Sequence, residues 1–494
     1  MSKGCFINDD FGAFFVADPS KMNEAGLREQ IDFYAGKGGV RAVIFNMNAS
    51  RAFFDSKAFD PIWKGVEYRA DGSVWFRGRE VVDELPEPPM KTMCKNAYLL
   101  HENFGNPMAF RYKYCHELGA EMWHGMRMND CHWAPDPELP QHAEFWYDHP
   151  EYQVAGYLRK YCYAWEIFPL NFWEKDVRDH KMGLVKEYLS YECDGIEIDW
   201  LRALPVFRRG FAERGRELMN GFVREIRRHA GEAAARWGHP VRIMMRVPGD
   251  PQTALLNGLD VQLWAREGLF DILEPDVAYS FCPLELWKQL LPGNIEILGG
   301  ITHCASSGSG GRMTACCEMD FAIASDLYRN GADSIYLFNH FWTGCGYENR
   351  SLQPVTYSIV GNRELNNAQM RRHPFMPFPG ERTLPPLAWA KSSVSFTVNA
   401  GEAAAGRKAR VMIAGGSKMT ADVIVNGVKC EFLPDATLPS PLPSVPKGKE
   451  RHFAVFAIPD GVLTDGANGV DVINQDAKDF ELFWAEIDID PATK

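Results

Sequence analysis

The stretch Asp194-Gly195-Ile196-Glu197-Ile198-Asp199-Trp200-Leu201-Arg202 alternates apolar with small or acidic residues. Side chains along an extended strand point to opposite faces in turn, so Ile196 and Ile198 share one face and Gly195, Glu197 and Asp199 the other. The segment 175–189 leads into it. There, apolar residues at 177, 184, 185, 188 and 189 fall mainly on one side and acids occupy the opening turn, which predicts an amphipathic helix. A helix feeding a strand is part of a βα unit. The isoleucines then face the helices, and Gly195, Glu197 and Asp199 look into a closed parallel sheet. On backbone spacing of about 3.3 Å per residue the two carboxylates stand roughly 6.5–7 Å apart. Burying unpaired carboxylates is expensive, so a strand that turns two of them inward points to chemistry. The structural alternative is an ion pair with arginines of the same barrel.

Seven comparable β-rich runs surround this one: GCFIND at 4–9, VRAVIFN at 40–46, EMWHGMRM at 121–128, VRIMMRV at 241–247, DILEPDV at 271–277, EILGGIT at 296–302 and DSIYLFN at 333–339. From 194 onward the starts lie 47, 30, 25 and 37 residues apart, enough each time for a strand, a helix and two loops. No Gly-rich phosphate loop follows the first run. The pattern predicts a (β/α)8 TIM barrel over 1–370 rather than an open doubly wound sheet. Two long insertions, about 50–118 and 131–168, carry Trp63, Trp75, Trp133, Trp146 and Tyr147 and belong on the C-terminal face, where the active sites of such barrels sit. Past residue 370 the texture changes to MPFPGERTLPP and then to short alternating segments, SVSFTV, RKARVMIA, ADVIVNGV, HFAVFAI and FELFWAEIDI. These predict a C-terminal antiparallel β-sandwich over 384–494, with 371–386 as the connection. Without a catalytic cluster of its own, that domain reads as a lid, a packing partner or a sugar-binding accessory module.

Composition agrees with two folded domains. The chain has 494 residues, 46% hydrophobic and 13% aromatic, which excludes collagen-like, coiled-coil and disordered chains. Its 53 Lys+Arg against 65 Asp+Glu leave a net charge of −12, spread along the chain, which argues against a nucleic-acid partner. No apolar run approaches the roughly 18 residues that cross a bilayer, so no membrane partner is expected. The start, MSKGCFINDDFGAFF, lacks a signal pattern, so a cytoplasmic location is expected unless a leader has been removed. The 12 cysteines are scattered and predict buried thiols rather than a disulfide framework. Cys115, His116, His124, Cys131 and His132 cluster in sequence but match no zinc spacing, so neither a metal nor another cofactor is expected.

A resemblance sharpens the reading. DGIEIDW looks like the fourth-strand motif of (β/α)8 glycoside hydrolases, and LNFWEKDVRDHKMGLVKEYLSYECDGIEID is similar to the helix and strand of bacterial family-10-like glycosyl hydrolases. NGLDVQLWAREGLFDILEPDVAY and NGADSIYLFNHF resemble their later barrel units, so the likeness covers about 170–340. It implies a carbohydrate substrate and cleavage of an O-glycosidic bond. Many glycosidase barrels place an Asp nucleophile at the end of this strand, which corresponds to Asp199. The segment is also similar to the chitinase pattern DGxDxDxE. Leu201 stands where that pattern has its acid, and Glu197 replaces an Asp, which argues against N-acetyl-assisted chemistry.

Glycosidic cleavage generally uses two carboxyl groups. Beside Asp199 the candidates are Glu197, then Glu274 and Asp276, which share a parity around Pro275 at the sixth strand's end, and Asp130 after the third strand. Polar residues at the other strand ends form a candidate binding cup: Asp9 and Asp10 at the first, Asn46 and Asn48 at the second, and His124, Arg127, Asn129 and His132 around the third. Arg202 follows the fourth, Arg246 ends the fifth, His303 the seventh, and Asn339 and His340 the eighth. About half are expected to touch ligand, the others being hydrogen-bonded structural residues. The arginines hint at acidic or sulfated glycans. Two alternatives stand beside the glycosidase: a catalytically silent carbohydrate-binding barrel, and a barrel hydrolase or lyase of different, metal-dependent chemistry. The sugar, its linkage and the oligomeric state are left open.

Overall fold

The computed structural model describes residues 4–83, 89–132, 139–158, 160, 167–276, 282–302, 304–307, 311–314, 316–343, 351–376, 384, 392–476 and 478–492. Eight parallel strands close into a barrel: β1 (Phe6–Asp9), β2 (Ala42–Asn46), β3 (Glu121–Arg127), β4 (Gly195–Asp199), β5 (Arg242–Pro248), β6 (Ile272–Asp276), β7 (Glu296–Thr302) and β8 (Ser334–Phe338). Each strand pairs with its neighbours in sequence, and β8 closes on β1 through Phe6 opposite Tyr336 and Asn8 opposite Phe338. All eight expected runs are therefore barrel strands. The helix before β4 is Lys175–Tyr188.

The two-residue period of the strands divides the apolar side chains into two populations. Ile7, Val43, Phe45, Ile196, Ile198, Ile243, Met245, Leu273, Ile335 and Leu337 belong to the core between strands and helices. Phe6, Ala42, Ile44, Trp123, Met244, Ile272, Leu298, Tyr336 and Phe338 form a separate cluster inside the barrel. Trp123 fills the centre because Gly195 has no side chain; a Cβ there would stand 2.5 Å from the indole ring. Below this plug, Arg41 and Arg242 meet Glu121 and Glu296 in an ion-pair ring that seals the N-terminal end, with Arg41 to Glu296 at 2.5 Å. The plug and the ring fill the lower barrel, and the polar strand ends lie at the C-terminal end.

Between β2 and β3 lie a small antiparallel sheet (Val66–Tyr68, Val74–Phe76, Arg79–Glu80) and the helices Met90–Phe104 and Met108–Glu117. No described helix is long and apolar enough to cross a membrane.

The C-terminal region is a sandwich of two antiparallel sheets. One runs β9 (Arg371–Pro374), β17 (Leu482–Ile489), β11 (Ala409–Gly415), β15 (His452–Ile458), β14 (Glu431–Phe432). The other runs β10 (Ser393–Asn399), β16 (Ala467–Asn474), β12 (Ala421–Val425), β13 (Val428–Lys429). In the first sheet Val411, Ile413, Ala485 and Ile487 face the sandwich interior, while Met412, Ala414, Val455 and Trp484 join the core of the barrel. The sandwich is thus a packing partner of the barrel.

One boundary differs from expectation. Residues 371–374, read as connection, form an edge strand paired with β17. Arg-Arg-His-Pro carries no apolar alternation because its side chains meet ions: Arg372 bonds Glu486 at 2.8 Å, and His373 lies 3.4 Å from Asp326 on the barrel helix Cys317–Arg329.

Candidate active site

At the barrel mouth the parallel register sets Arg127, Asp199, Arg246 and Glu274 in one row across β3 to β6, with Asp276 one step higher opposite Pro248. The shared parity inferred for Glu197 and Asp199, and for Glu274 and Asp276, is realised. Arg246 organises them. Its Nη1 lies 3.3 Å from Asp199 and its Nε 2.8 Å from Glu274, and Nη2 bonds Asp276. Arg246, Asp199 and Glu274 are buried, whereas the Asp276 carboxylate stays 10% exposed at the rim. Burial opposes the charge on Arg246, yet the three carboxylates hold its pKa well above the ordinary value. Burial also raises Glu274 well above the usual carboxylate range, with Arg246 opposing and Asp276, Glu197 and Asp199 adding to the rise. Asp199 is further oriented by the backbone N–H of Leu201, which donates to Oδ1 at 2.9 Å.

Glu197 lies one layer deeper. It accepts from Asn8 Nδ2 at 2.8 Å and from the Tyr336 hydroxyl at 2.6 Å, and Asn46 in turn donates to Asn8 at 2.7 Å. Burial, then the neighbouring Asp199, pushes Glu197 up to about 8, so its proton is retained at neutral pH. Asn8 and Tyr336 were not among the expected site residues. The alternation Phe6, Asn8 marks Asn8 as inward; Tyr336 sits in an apolar run where nothing separates it from core.

A second ion cluster occupies the other side of the mouth. Arg127 donates to Asp10 at 2.5 Å and to Asp130 at 2.8 Å, and His132 Nδ1 lies 2.8 Å from Asp130. Burial disfavours the charge on Asp130, but His132 and Arg127 outweigh it and hold the carboxyl far below the usual range. Asp130, a candidate acid in the sequence, is thus held in an ion cluster with Arg127 and His132. Asp10 also caps the helix Phe11–Phe15, accepting from the Gly12 N–H.

Several other candidates are engaged within the protein itself. His124 faces outward, opposite Ile196, and stacks on Tyr188 with ring centroids 5.1 Å apart; burial lowers it to about 3. It pairs with the helices, not the cup. Asn129 exchanges both amide hydrogen bonds with the Leu170 backbone, at 2.8 and 2.9 Å, and so clamps the insertion after β3. Asp9 also points outward, to Gln30 and Tyr34 at 2.7 Å each. His340 is buried 3.7 Å from Asp320 of the helix Cys317–Arg329. Asn339, in a left-handed conformation with φ of 62°, ends β8 with its Oδ1 buried and unpartnered. Arg202 lies over the Phe338 ring, 5.1 Å from its centroid. His303 and Trp133 fall outside the described residues.

The residues of the sequence-level metal cluster are dispersed: His116 bonds Asp194 at 2.8 Å, while His132 belongs to Asp130. Among the described residues no group of three or more His, Cys, Asp or Glu is placed to hold a metal ion. Among the described residues no disulfide is formed.

Fold and site together define a (β/α)8 barrel with a carboxylate-rich mouth. No protein-family model matches the chain, and comparison with curated proteins finds no match. Among solved structures it is similar to an α-galactosidase from Thermus thermophilus in complex with p-nitrophenyl α-D-galactopyranoside, with 13% identity and a TM-score of 0.37 over 76% of this chain and 64% of that one. It is also similar to a Ruminococcus gnavus GH29 fucosidase in complex with fucose, with 10% identity and a TM-score of 0.35 over 100% of this chain and 93% of that one. A third is a family GH13_31 enzyme, with 11% identity and a TM-score of 0.39 over 97% and 98%. None of these carries a residue role over to this chain.

Proposed function

We propose that the chain is a glycoside hydrolase working at the C-terminal mouth of its barrel, with Asp199 as nucleophile or base and a carboxyl of β6, Glu274 or Asp276, as proton donor. The observation that carries the reading is the convergence of Asp199, Glu274 and Asp276, from β4 and β6, on the single guanidinium of Arg246. Cleavage of an acetal needs one carboxyl to protonate the leaving oxygen and another to attack carbon or activate water on the opposite side. Asp199 is held in a fixed orientation at a strand end, as an attacking group requires, and Asp276 is the member of the set that reaches the rim. Glu274 and Glu197, both driven toward their neutral forms by burial, limit the negative charge around Asp199. The reaction is O-glycoside plus water giving hemiacetal plus alcohol, with the proton passing from the β6 carboxyl to the departing oxygen and replaced from water.

The test is turnover of a panel of defined oligosaccharides and aryl glycosides by the wild type, Asp199→Asn, Glu274→Gln and Asp276→Asn. Asp199→Asn is expected to abolish hydrolysis with an unchanged circular dichroism spectrum. The variant that removes the proton donor, Glu274→Gln or Asp276→Asn, is expected to lose activity most on substrates with poor leaving groups and to regain part of it with azide. Near-normal turnover by Asp199→Asn would falsify the assignment, and sugar binding without product release would make the barrel a binding protein. NMR of the first-formed anomer then separates retention from inversion.

A further inference from the structure

We propose that Arg202 anchors an anionic substituent, a carboxylate or a sulfate, on the sugar that enters the mouth. The catalytic consequence rests on the glycosidase reading above; the binding itself does not.

Among the described residues three arginines stand at the mouth, and two are committed. Arg127 serves Asp10 and Asp130, and Arg246 serves Asp199, Glu274 and Asp276. Among the described residues Arg202 has neither a carboxylate nor a carbonyl on its guanidinium, and its Nε is buried without a partner. Its position is defined by the Phe338 ring, which it shares with Arg246: the two guanidinium carbons lie 5.1 and 4.2 Å from the ring centroid. Phe338 belongs to β8 and Arg202 follows β4, and these two strands are opposite in the eight-strand circuit. The arginine therefore crosses the mouth, three residues beyond Asp199, in the path of anything that reaches the carboxylates.

A half-buried cation without a counter-ion is an unfavourable arrangement in a folded chain. Burial and the nearby Arg127 and Arg246 all act against its charge, with Asp199 and Asp130 opposing. Both acids are engaged elsewhere, Asp130 with Arg127 and Asp199 with Arg246. A ligand anion supplies what the chain does not. The aromatic face beneath Arg202 leaves the edge of the guanidinium, with its paired N–H donors, for a planar two-oxygen acceptor. A neutral sugar would leave the guanidinium as it is, so the site discriminates by charge.

The experiment is calorimetric titration of the wild type, Arg202→Lys and Arg202→Met with glucuronic acid, galacturonic acid, glucose 6-sulfate, galactose 6-sulfate and the neutral glucose and galactose. In parallel, kcat/KM is measured on aryl uronides, aryl 6-sulfoglycosides and neutral aryl glycosides. The wild type is expected to bind at least one anionic sugar about 10- to 100-fold more tightly than its neutral counterpart, the range of a charge-assisted pair. The uronate and sulfate arms show which anion it is. Arg202→Met is expected to erase that preference and Arg202→Lys to keep part of it. Equal or weaker binding of every anionic sugar by the wild type overturns the proposal without recourse to any variant, as does a preference that survives in Arg202→Met. Arg202-dependent binding without hydrolysis sinks the glycosidase reading and leaves the anion site standing. Hydrolysis without charge preference does the reverse.

Discussion

Gly300 on β7 makes the space that the Glu274 carboxylate of β6 fills: a Cβ at position 300 would stand 2.3 Å from Glu274 Oε1. The glycine therefore sets how far the carboxyl can lean from Arg246. In Gly300→Ala the methyl group displaces that carboxyl and disturbs the 2.8 Å contact to Arg246. Overpacking of this kind costs about 1–3 kcal/mol. Chemical denaturation together with kcat/KM checks it, the expected result being a loss of activity larger than the loss of stability; an unaffected kcat/KM would show that Glu274 plays no part in the site.

Two buried glutamates predict how stability changes with pH. Glu197 in the barrel and Glu486 in the sandwich are both raised by burial, and then by a neighbouring aspartate, from 4.5 to about 8. Between those pH values the folded chain keeps protons that the unfolded chain has released. Stability therefore falls as pH rises from about 4.5 to 8, at up to roughly 1.4 kcal/mol per pH unit for each group, and levels off above. Glu197→Gln and Glu486→Gln should each flatten that slope in urea titrations between pH 5 and 8. Glutamine at 197 retains an acceptor for Asn8 and a donor for Tyr336, so the comparison isolates the proton.

Arg246→Met removes the counter-ion of Asp199, Glu274 and Asp276 at once. Breaking a buried ion cluster from one side costs on the order of 3–5 kcal/mol. The loss should be larger at pH 8 than at pH 5, because acid allows the abandoned carboxyls to protonate. Unfolding free energies of this variant at the two pH values decide the matter, and equal losses would mean that the cluster carries no net charge.

His124→Phe should leave turnover unchanged and hold or raise the melting temperature. Both ring nitrogens of His124 are buried without partners, and the ring stacks on Tyr188. An apolar ring of similar shape keeps the stacking and removes the desolvated nitrogens. A fall in kcat would return His124 to the site.

The alternation in 194–202 and the spacing of the strands made the barrel legible, because inward and outward faces differ in kind: isoleucine against glycine and carboxylate. The same logic located Asp199, Glu274 and Asp276. It failed for β9, whose Arg-Arg-His-Pro is polar because Arg372 meets Glu486 of the same sheet and His373 meets Asp326 of the barrel. It also failed for His124, where proximity to Arg127 in sequence hid a difference of one residue in parity, and for Tyr336, whose hydroxyl reaches Glu197 from the middle of an apolar strand.

By itself the sequence determined the closed parallel barrel, the appended sandwich and the face on which acids gather, since each follows from local period and residue type. Only the tertiary structure decided the state and partner of each charge. Arg127, Arg202 and Arg246 are equivalent as letters. Which of them is spent on carboxylates depends on distances between strands far apart in the chain, and on burial that shifts Glu197 and Asp130 in opposite directions. Electrostatics in a low-dielectric interior depends on those few ångströms, and a one-dimensional pattern does not contain them.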